Sequence, residues 1–215
     1  ARVRHRNLNP GGFMDAADAQ ASLEGVLKDE IIRMYQEVAD DPDAEFHFYH
    51  GREAAELFGY DSDALDRVPD GAVSSFAGVG NPHLRSNIQA GETVLDLGSG
   101  AGLDAIIAAQ RAGPSGRVIG VDLNPSMCRK AQANMAATGA VLECHEGRME
   151  EIPVPDESVD VVISNGVINL SFRKRRVVEE MYRVLKAGGR ISITDIVSGK
   201  ALSQSIVNDP KLWAS

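Results

Sequence analysis

The densest chemical signal in the chain is the run VLDLGSGAGLD, residues 94–104, in which an apolar segment carrying Asp96 leads into Gly98, Ser99, Gly100, Ala101 and Gly102. Glycines permit positive φ and leave backbone N–H groups bare, and a helix starting just after them adds its own unpaired donors. Such a turn is built to receive a ligand. A dinucleotide fingerprint, GxGxxG, wants its third glycine at position 103, but Leu103 stands there and the glycine comes one residue earlier.

A compact GxGxG behind an acidic strand end suits a ligand that carries an amino-acid moiety instead of a pyrophosphate, and S-adenosylmethionine is such a ligand. A second apolar segment ends in Asp122, a little over ~20 residues beyond the first glycine, where doubly wound folds place a carboxylate on ribose hydroxyls. Asp96 is expected to face the ligand, although a strand-end acid can also cap the turn. Asp104 reads equally as a ligand contact or as a first-turn helix acid favoured by the dipole.

The elements that must position these residues follow from periodicity. Thr93–Leu97, Arg117–Val121, Val141–Cys144, Val159–Ser164 and Arg190–Ile196 are short apolar runs rich in β-branched residues and read as five strands. Between them, helical patterns cover Leu103–Ala112, Pro125–Thr138 with Asn124 as N-cap, and Arg173–Leu185. Alternating strand and helix imply a parallel sheet with right-handed crossovers. The predicted fold class is therefore α/β, a doubly wound Rossmann-like sheet with an N-terminal helical extension.

That extension begins with a long amphipathic helix, Ala16–Ala39, whose Leu23, Val26, Leu27, Ile31, Met34, Tyr35 and Val38 form one stripe. Shorter helices are expected over Arg52–Phe58, closed by Gly59, and around Ser62–Arg67; SFAGVGNPH, residues 75–83, reads as an irregular loop. The organisation is thus residues 1–90 as extension or cap, 91–197 as the cofactor-binding domain, and 198–215 as a helix or tail.

Composition narrows the partners. A formal net charge of −9 disfavours nucleic acid, whose backbone demands clustered cations, so the expected partner is a small molecule. The basic runs at Arg2–Arg6 and Arg173–Arg176 are expected to be solvated surface. Two cysteines, Cys128 and Cys144, are too few for a disulfide scaffold and read as buried small hydrophobes, which fits a reducing, cytoplasmic setting. No apolar run approaches the ~20 residues of a membrane helix, and no metal-ligand spacing occurs.

Taken together, VLDLGSGAGLDA (94–105), VIGVDLNPSM (118–127), IPVPDESVDVVISNGVINL (152–170) and VLKAGGRISITDIV (184–197) resemble the arsenite methyltransferases, relatives of the quinone-biosynthesis methyltransferases. The similarity runs from about Ser75 to Ser215, and GVGNP (78–82), SNGVINL (164–170) and DPKLWA (209–214) are its more specific parts; FHFYHGREAAELFGYD (46–61) is similar to the prelude of bacterial members. The resemblance implies an S-adenosylmethionine-dependent transfer of a methyl group to a small acceptor. Gly98, Gly100 and Gly102 would line the methionine part, Asp122 the ribose, Leu123 and Met149 the adenine, and Asn165 the methionine moiety again.

The sequence departs from the family at three places. An acid usually precedes the Met149 position, and here Arg148 stands there. Members that hold arsenite use thiolates, which suit a soft metalloid, but this chain has Val79 and Gly166 at two expected cysteine positions. Relatives with this architecture also add strands after the fifth, so the expectation is a truncated sheet, or an apolar edge covered by another copy.

Methyl transfer needs alignment in a dry pocket more than a catalytic base. Tyr35, His47, His50, Asn169 and Asp195 are the candidates to face the acceptor, each with an ordinary structural alternative in core, surface or capping. The rival activities are methylation of a carbon, oxygen or nitrogen of a small organic molecule, and cofactor binding without turnover.

Overall fold

The computed structural model describes residues 16–41, 44, 46, 48–201 and 209. The prelude contains α1 (Ala16–Asp40), α2 (Gly51–Leu57), α3 (Ser62–Leu65), α4 (Asp70–Ser74) and α5 (His83–Ser86). There follow β1 (Thr93–Leu97), α6 (Leu103–Ala112), β2 (Arg117–Asp122), α7 (Pro125–Ala137), β3 (Glu143–Glu146), β4 (Val159–Asn165), a 3-10 turn (Ile168–Leu170), α8 (Lys174–Val184) and β5 (Leu185–Thr194). The basic run Arg2–Arg6, His47 and most of the stretch from 198 to the end lie outside the described residues.

All five strands are parallel, in the order β3-β2-β1-β4-β5, so the direction of the sheet's growth reverses at β1. In an open α/β sheet that reversal leaves a crevice at the carboxyl ends of the strands, the place where β1 runs into the glycine turn. Alternate residues of β1 face opposite sides: Val94 packs with Ile106, Met135 and Ile163 beneath α6 and α7, whereas Leu95 and Leu97 pack with Val162, Val177 and Met181 beneath α8. Each such buried aliphatic side chain contributes about 1.5–3 kcal/mol relative to exposure.

Local sequence explains the element ends. Asn124 caps α7 by accepting the Ser126 amide at 2.8 Å, with Pro125 pre-set for the first turn. Asp61 does the same for α3 through the Ala64 amide at 2.9 Å. On α1 the expected stripe is only partly buried: Leu27 and Val38 are sealed, but Val26 is 52% exposed.

Two sequence expectations need correction. The third strand lies at Glu143–Glu146, not Val141–Cys144, because pairing with β2 starts at Ile119 opposite Glu143 and leaves Val141 88% exposed. The fifth strand begins at Leu185 rather than Arg190, reaching β4 across an irregularity between Val159 and Val161. The loop at 75–83 is bracketed by α4 and α5, helices too short for a periodic signal.

The prelude is not a separate layer: Ala54, Tyr60, Leu65 and Val73 share one apolar cluster with Ile106 and Met135. Among the described residues β5 forms one edge of the sheet, where Arg190 donates to the Ser86 carbonyl and Ser192 to that of Pro82, while Ile191 is 50% and Ile193 37% exposed. Among the described residues no helix is long and apolar enough to cross a membrane.

Candidate functional site

At the carboxyl end of β1 the chain turns sharply. The amides of Gly98 and Ser99 both reach the carbonyl of Val121, at 2.8 and 3.2 Å, and the Gly102 amide closes onto Ser99 at 2.9 Å. Gly98 has φ +71°, and a Cβ there would stand 2.4 Å from a methyl of Val167, so only glycine fits. The Gly100 amide donates to Asp122 Oδ2 at 2.8 Å, while Oδ1 accepts the Asn124 amide at 2.8 Å. Asp122 therefore ties the turn to the start of α7 and keeps lone pairs for a further donor.

These groups form one wall of a cavity. Its lining includes Gly98, Ser99, Gly100, Asp104, Asp122, Leu123, Met149 and Asn165, together with Gly166 and Val167 opposite the turn. The segment carrying Met149 is fixed from below by Glu180, buried on α8, which accepts the Ile152 amide at 2.8 Å and pairs with Arg176 and Arg183. Beside Met149, Glu150 also lines the cavity and accepts the Ser171 hydroxyl at 2.5 Å, with Arg148 3.5 Å from its other oxygen.

α1 roofs the cavity with Glu24, Lys28, Ile31, Ile32 and Tyr35. The helix is held at several points: Asn124 donates to the Ile32 carbonyl at 3.2 Å, Lys130 to Ala39 at 2.7 Å, and Arg173 pairs with Glu24 at 3.0 Å. The Tyr35 phenol is pushed up to about 12 by burial and by the nearby charges of Asp122 and Asp195, so it is a neutral hydroxyl at any physiological pH. The basic run on α8 is thus only partly the solvated surface expected of it: Arg173 reaches α1, and Lys174 donates to the carbonyls of Asn169 and Ser171.

Asn165, at the end of β4, is the hub of the far wall. Its Oδ1 accepts the amides of Val79 and Gly80, at 2.9 and 3.2 Å, and the Thr194 hydroxyl at 2.8 Å. Its Nδ2 faces Gly80 O at 2.8 Å, Asp104 Oδ2 at 3.1 Å and Tyr60 Oη at 3.2 Å. Tyr60 in turn donates to Asp104 Oδ1 at 2.5 Å, and buried His83 brings Nε2 to 3.0 Å from the same oxygen. Asp104 is therefore neither a plain first-turn acid nor a bare ligand contact; it anchors a buried network and shows one edge to the cavity.

Other expected site residues sit elsewhere. Asp96 is 2% exposed and lies beneath the turn rather than on the cavity wall, with Oδ2 unpartnered; burial, then the charge of Asp104, pushes its carboxyl well above the usual range. Gly102 faces α7, where a Cβ would meet Ala131 at 3.2 Å. Asp195 caps the 3-10 turn by accepting the Ile168 and Asn169 amides at 2.8 and 3.1 Å, and the Asn169 side-chain amide, oriented to donate, reaches Asp195 Oδ1 at 2.9 Å and Gly166 O at 3.2 Å. Neither residue lines the cavity. His50 is engaged with Phe48 O at 3.4 Å and edge-on to Phe46.

Sequence reasoning missed Tyr60, His83, Thr194 and Glu150. Tyr60 follows a helix-ending glycine and His83 a proline, so neither sits in a periodic pattern that marks a buried polar group. Val79 and Gly166, far apart in sequence, are in contact: a Cβ on Gly166, whose φ is +74°, would meet Val79 Cγ1 at 3.2 Å.

Asp104 and Asp122 line the cavity, Asp96 lies just below it, and among the described residues none of the three is paired with Lys or Arg. Burial pushes the Asp122 carboxyl up against the opposing pull of the Asn124, Gly100 and Leu123 amides. Lys28 and Arg148 line the same cavity, so the acids mark one part of its wall, where an ammonium group or a hydroxyl is complemented.

This sheet order, with an acid-flanked glycine turn at the carboxyl end of β1, defines a Rossmann-like domain. A family model described as a methyltransferase domain matches residues 88–215, and the chain belongs to that family. It is 48% identical over 157 residues to an arsenite methyltransferase of Halobacterium salinarum, covering 73% of this chain and 40% of that protein. It is also 38% identical over 112 residues to a ubiquinone/menaquinone biosynthesis C-methyltransferase of Bordetella avium, covering 52% of this chain and 43% of that one. Among solved structures, an arsenic(III) S-adenosylmethionine methyltransferase from Chlamydomonas reinhardtii superposes with a TM-score of 0.58 at 34% identity, over 76% of this chain and 55% of that one. The chain spans less than half the length of the curated relatives it matches.

Proposed function

We propose that this cavity binds S-adenosylmethionine and that the protein transfers its methyl group to a small acceptor, with arsenite the acceptor its relatives point to. The observation that carries the reading is a bare glycine turn flanked on the cavity wall by Asp104 and Asp122, neither of which pairs with Lys or Arg among the described residues. Gly98 and Gly100 admit the methionine portion, Asp122 accepts from the ribose hydroxyls, and Leu123 and Met149 sandwich the adenine. Glu150, on the cavity wall beside Met149, offers the carboxylate that Arg148 does not. Bound there, the cofactor supplies an activated methyl on a sulfonium; the chain's own residues orient it and keep water out. Tyr35 and the apolar Ile31 and Ile32 close the roof, so the gain comes from alignment in a dry site, about 7–11 kcal/mol at best.

A second reading has a specific observation behind it. Val79 and Gly166 touch where the resemblance implies two thiolates, and no cysteine is among the cavity-lining residues described. That apolar contact favours a carbon, oxygen or nitrogen of a small organic molecule as acceptor. Calorimetry with S-adenosylmethionine tests the shared part: no heat removes both readings. Turnover on arsenite with added thiol, compared with a quinol panel, then separates them, and tight binding with no turnover on either makes the protein a cofactor binder without catalysis.

The same reading places the protein in a reducing, cytoplasmic setting with no nucleic-acid partner, supported by two free cysteines and net charge −9. The exposed Ile191 and Ile193 on β5 support a second copy of the chain covering that edge.

A further inference from the structure

Asp104, in the first turn of α6, lines the cavity beside the glycine turn, and two prelude segments deliver side chains to the carboxylate from behind. Tyr60 donates to Oδ1 at 2.5 Å, and His83 brings Nε2 to 3.0 Å from the same oxygen. Both are buried, and neither lines the cavity. The two segments are tied together: the Asn81 side chain donates to the Gly59 carbonyl at 3.0 Å and accepts the His83 amide at 3.0 Å, while Arg111 of α6 donates to the His83 carbonyl at 2.7 Å. The backbone on either side of the imidazole therefore aims it at Asp104.

Two features of the cluster go unexplained by packing. Asn165 is over-subscribed, because its amide carries two hydrogens and three acceptors face it: Gly80 O at 2.8 Å, Asp104 Oδ2 at 3.1 Å and Tyr60 Oη at 3.2 Å. Gly80 is nearest, so Oδ2 and the phenol oxygen compete for the remaining hydrogen, and Oδ2 keeps acceptor capacity toward the cavity. His83, for its part, meets Oδ1 off the line of a ring N–H, and neither of its nitrogens completes a hydrogen bond among the described residues. A buried imidazole left in that state is costly, and hydrogen bonds that serve a site are often bent before the ligand arrives and tighten with it.

The other acids on the cavity wall are already engaged. Glu24 pairs with Arg173, Glu150 accepts the Ser171 hydroxyl near Arg148, and Asp122 holds the Gly100 and Asn124 amides. Asp104 has no Lys or Arg partner among the described residues. An ammonium group, with three donors and a full charge, is the complement of its spare oxygen.

We infer that Tyr60 and His83 are positioning residues that hold Asp104 by Oδ1 so that Oδ2 receives the α-ammonium group of the ligand's amino-acid end. As the ammonium donates to Oδ2, the contested Asn165 hydrogen turns to Tyr60 Oη and the His83 N–H comes into line with Oδ1. The inference rests on the proposed S-adenosylmethionine site and names its amino-group contact.

The test is calorimetry of the full chain with S-adenosylhomocysteine and with its des-amino analogue, which lacks only that ammonium. The unsubstituted protein should prefer the amino ligand by about 10- to 100-fold, the range for a hydrogen bond to a charged group. D104N should abolish the preference, Y60F and H83F should each cut it by about fivefold or more, and H83Q, whose amide returns a donor, should restore most of it. All four variants should keep their affinity for the des-amino analogue. A merely structural role for Tyr60 or His83 weakens both ligands together and leaves their ratio alone, so an unchanged ratio in Y60F overturns the inference even where H83F does not fold. Equal affinity of the unsubstituted chain for the two ligands also overturns it and leaves the proposed function standing. Failure to bind either ligand overturns the proposed function, and this inference with it.

Discussion

Replacing Asn165 by alanine removes the hub that joins the loop at Val79 and Gly80 to Tyr60, Asp104 and Thr194. The side chain accepts three hydrogen bonds and faces three acceptors with its amide, and it is 8% exposed. A net gain of about 1 kcal/mol per bond is only part of the loss, because two loop amides, a hydroxyl and the Gly80 carbonyl are left without this partner. The expected destabilisation is about 3–5 kcal/mol, or roughly 10–15 °C in Tm for a chain of this size. Hydrogen exchange followed by mass spectrometry localises it: the 76–82 segment exchanges faster while β1 and β2 keep their protection. N165D retains the acceptor for Val79 and Gly80 but sets a carboxylate against Asp104, so its deficit is largest at neutral pH and shrinks on acidification. Unchanged exchange at 76–82 in N165A, with Tm within about 2 °C, would refute the hub.

Gly98→Ala combines left-handed strain of about 1–2 kcal/mol with an overpacking cost of about 1–3 kcal/mol against Val167; urea unfolding should show the sum, and V167A in the same background should recover the packing part only. Asp96→Asn bears on pH. The Asp96 carboxyl is raised in the folded state by burial and then by Asp104, so protonation favours folding, and its contribution to stability is lost as pH climbs from about 4, the unfolded value, through the raised folded one. The D96N variant cannot ionise there, so its Tm advantage over the unsubstituted chain should be small near that lower limit and grow toward neutrality; a gap independent of pH counts against the assignment. Asp122 is raised likewise, and accepting from hydroxyls favours its ionised form, so affinity for S-adenosylmethionine should fall on acidification beginning above the ordinary carboxylate value of about 3.9. Calorimetry from neutral to acid pH reads this, and D122A should bind weakly at every pH.

The parallel sheet was legible because β-branched runs alternate with amphipathic helices bounded by Asn124, Pro125 and glycine. The strand at Val141 was misplaced by two residues because hydrophobicity marks where a strand can be, while pairing with β2 decides where it is. The cavity wall was readable for Gly98, Gly100 and Asp122, whose spacing is set by one local turn. Asp195 and Asn169 misled because a strand-end position advertises reach toward a ligand, yet the two satisfy each other over the 3-10 turn. The Tyr60–Asp104–His83 cluster left no trace in sequence, since its members come from three segments with unrelated patterns.

The wiring of Asn165 also dictates when the pocket can exist. Its partners lie 86 residues upstream at Val79, 105 upstream at Tyr60 and 29 downstream at Thr194. Closing loops of that length costs chain entropy that no local helix repays. A nascent chain carrying the whole glycine turn and Asp122 thus still lacks the far side of its own binding chamber, which is completed only when β4 and β5 have emerged.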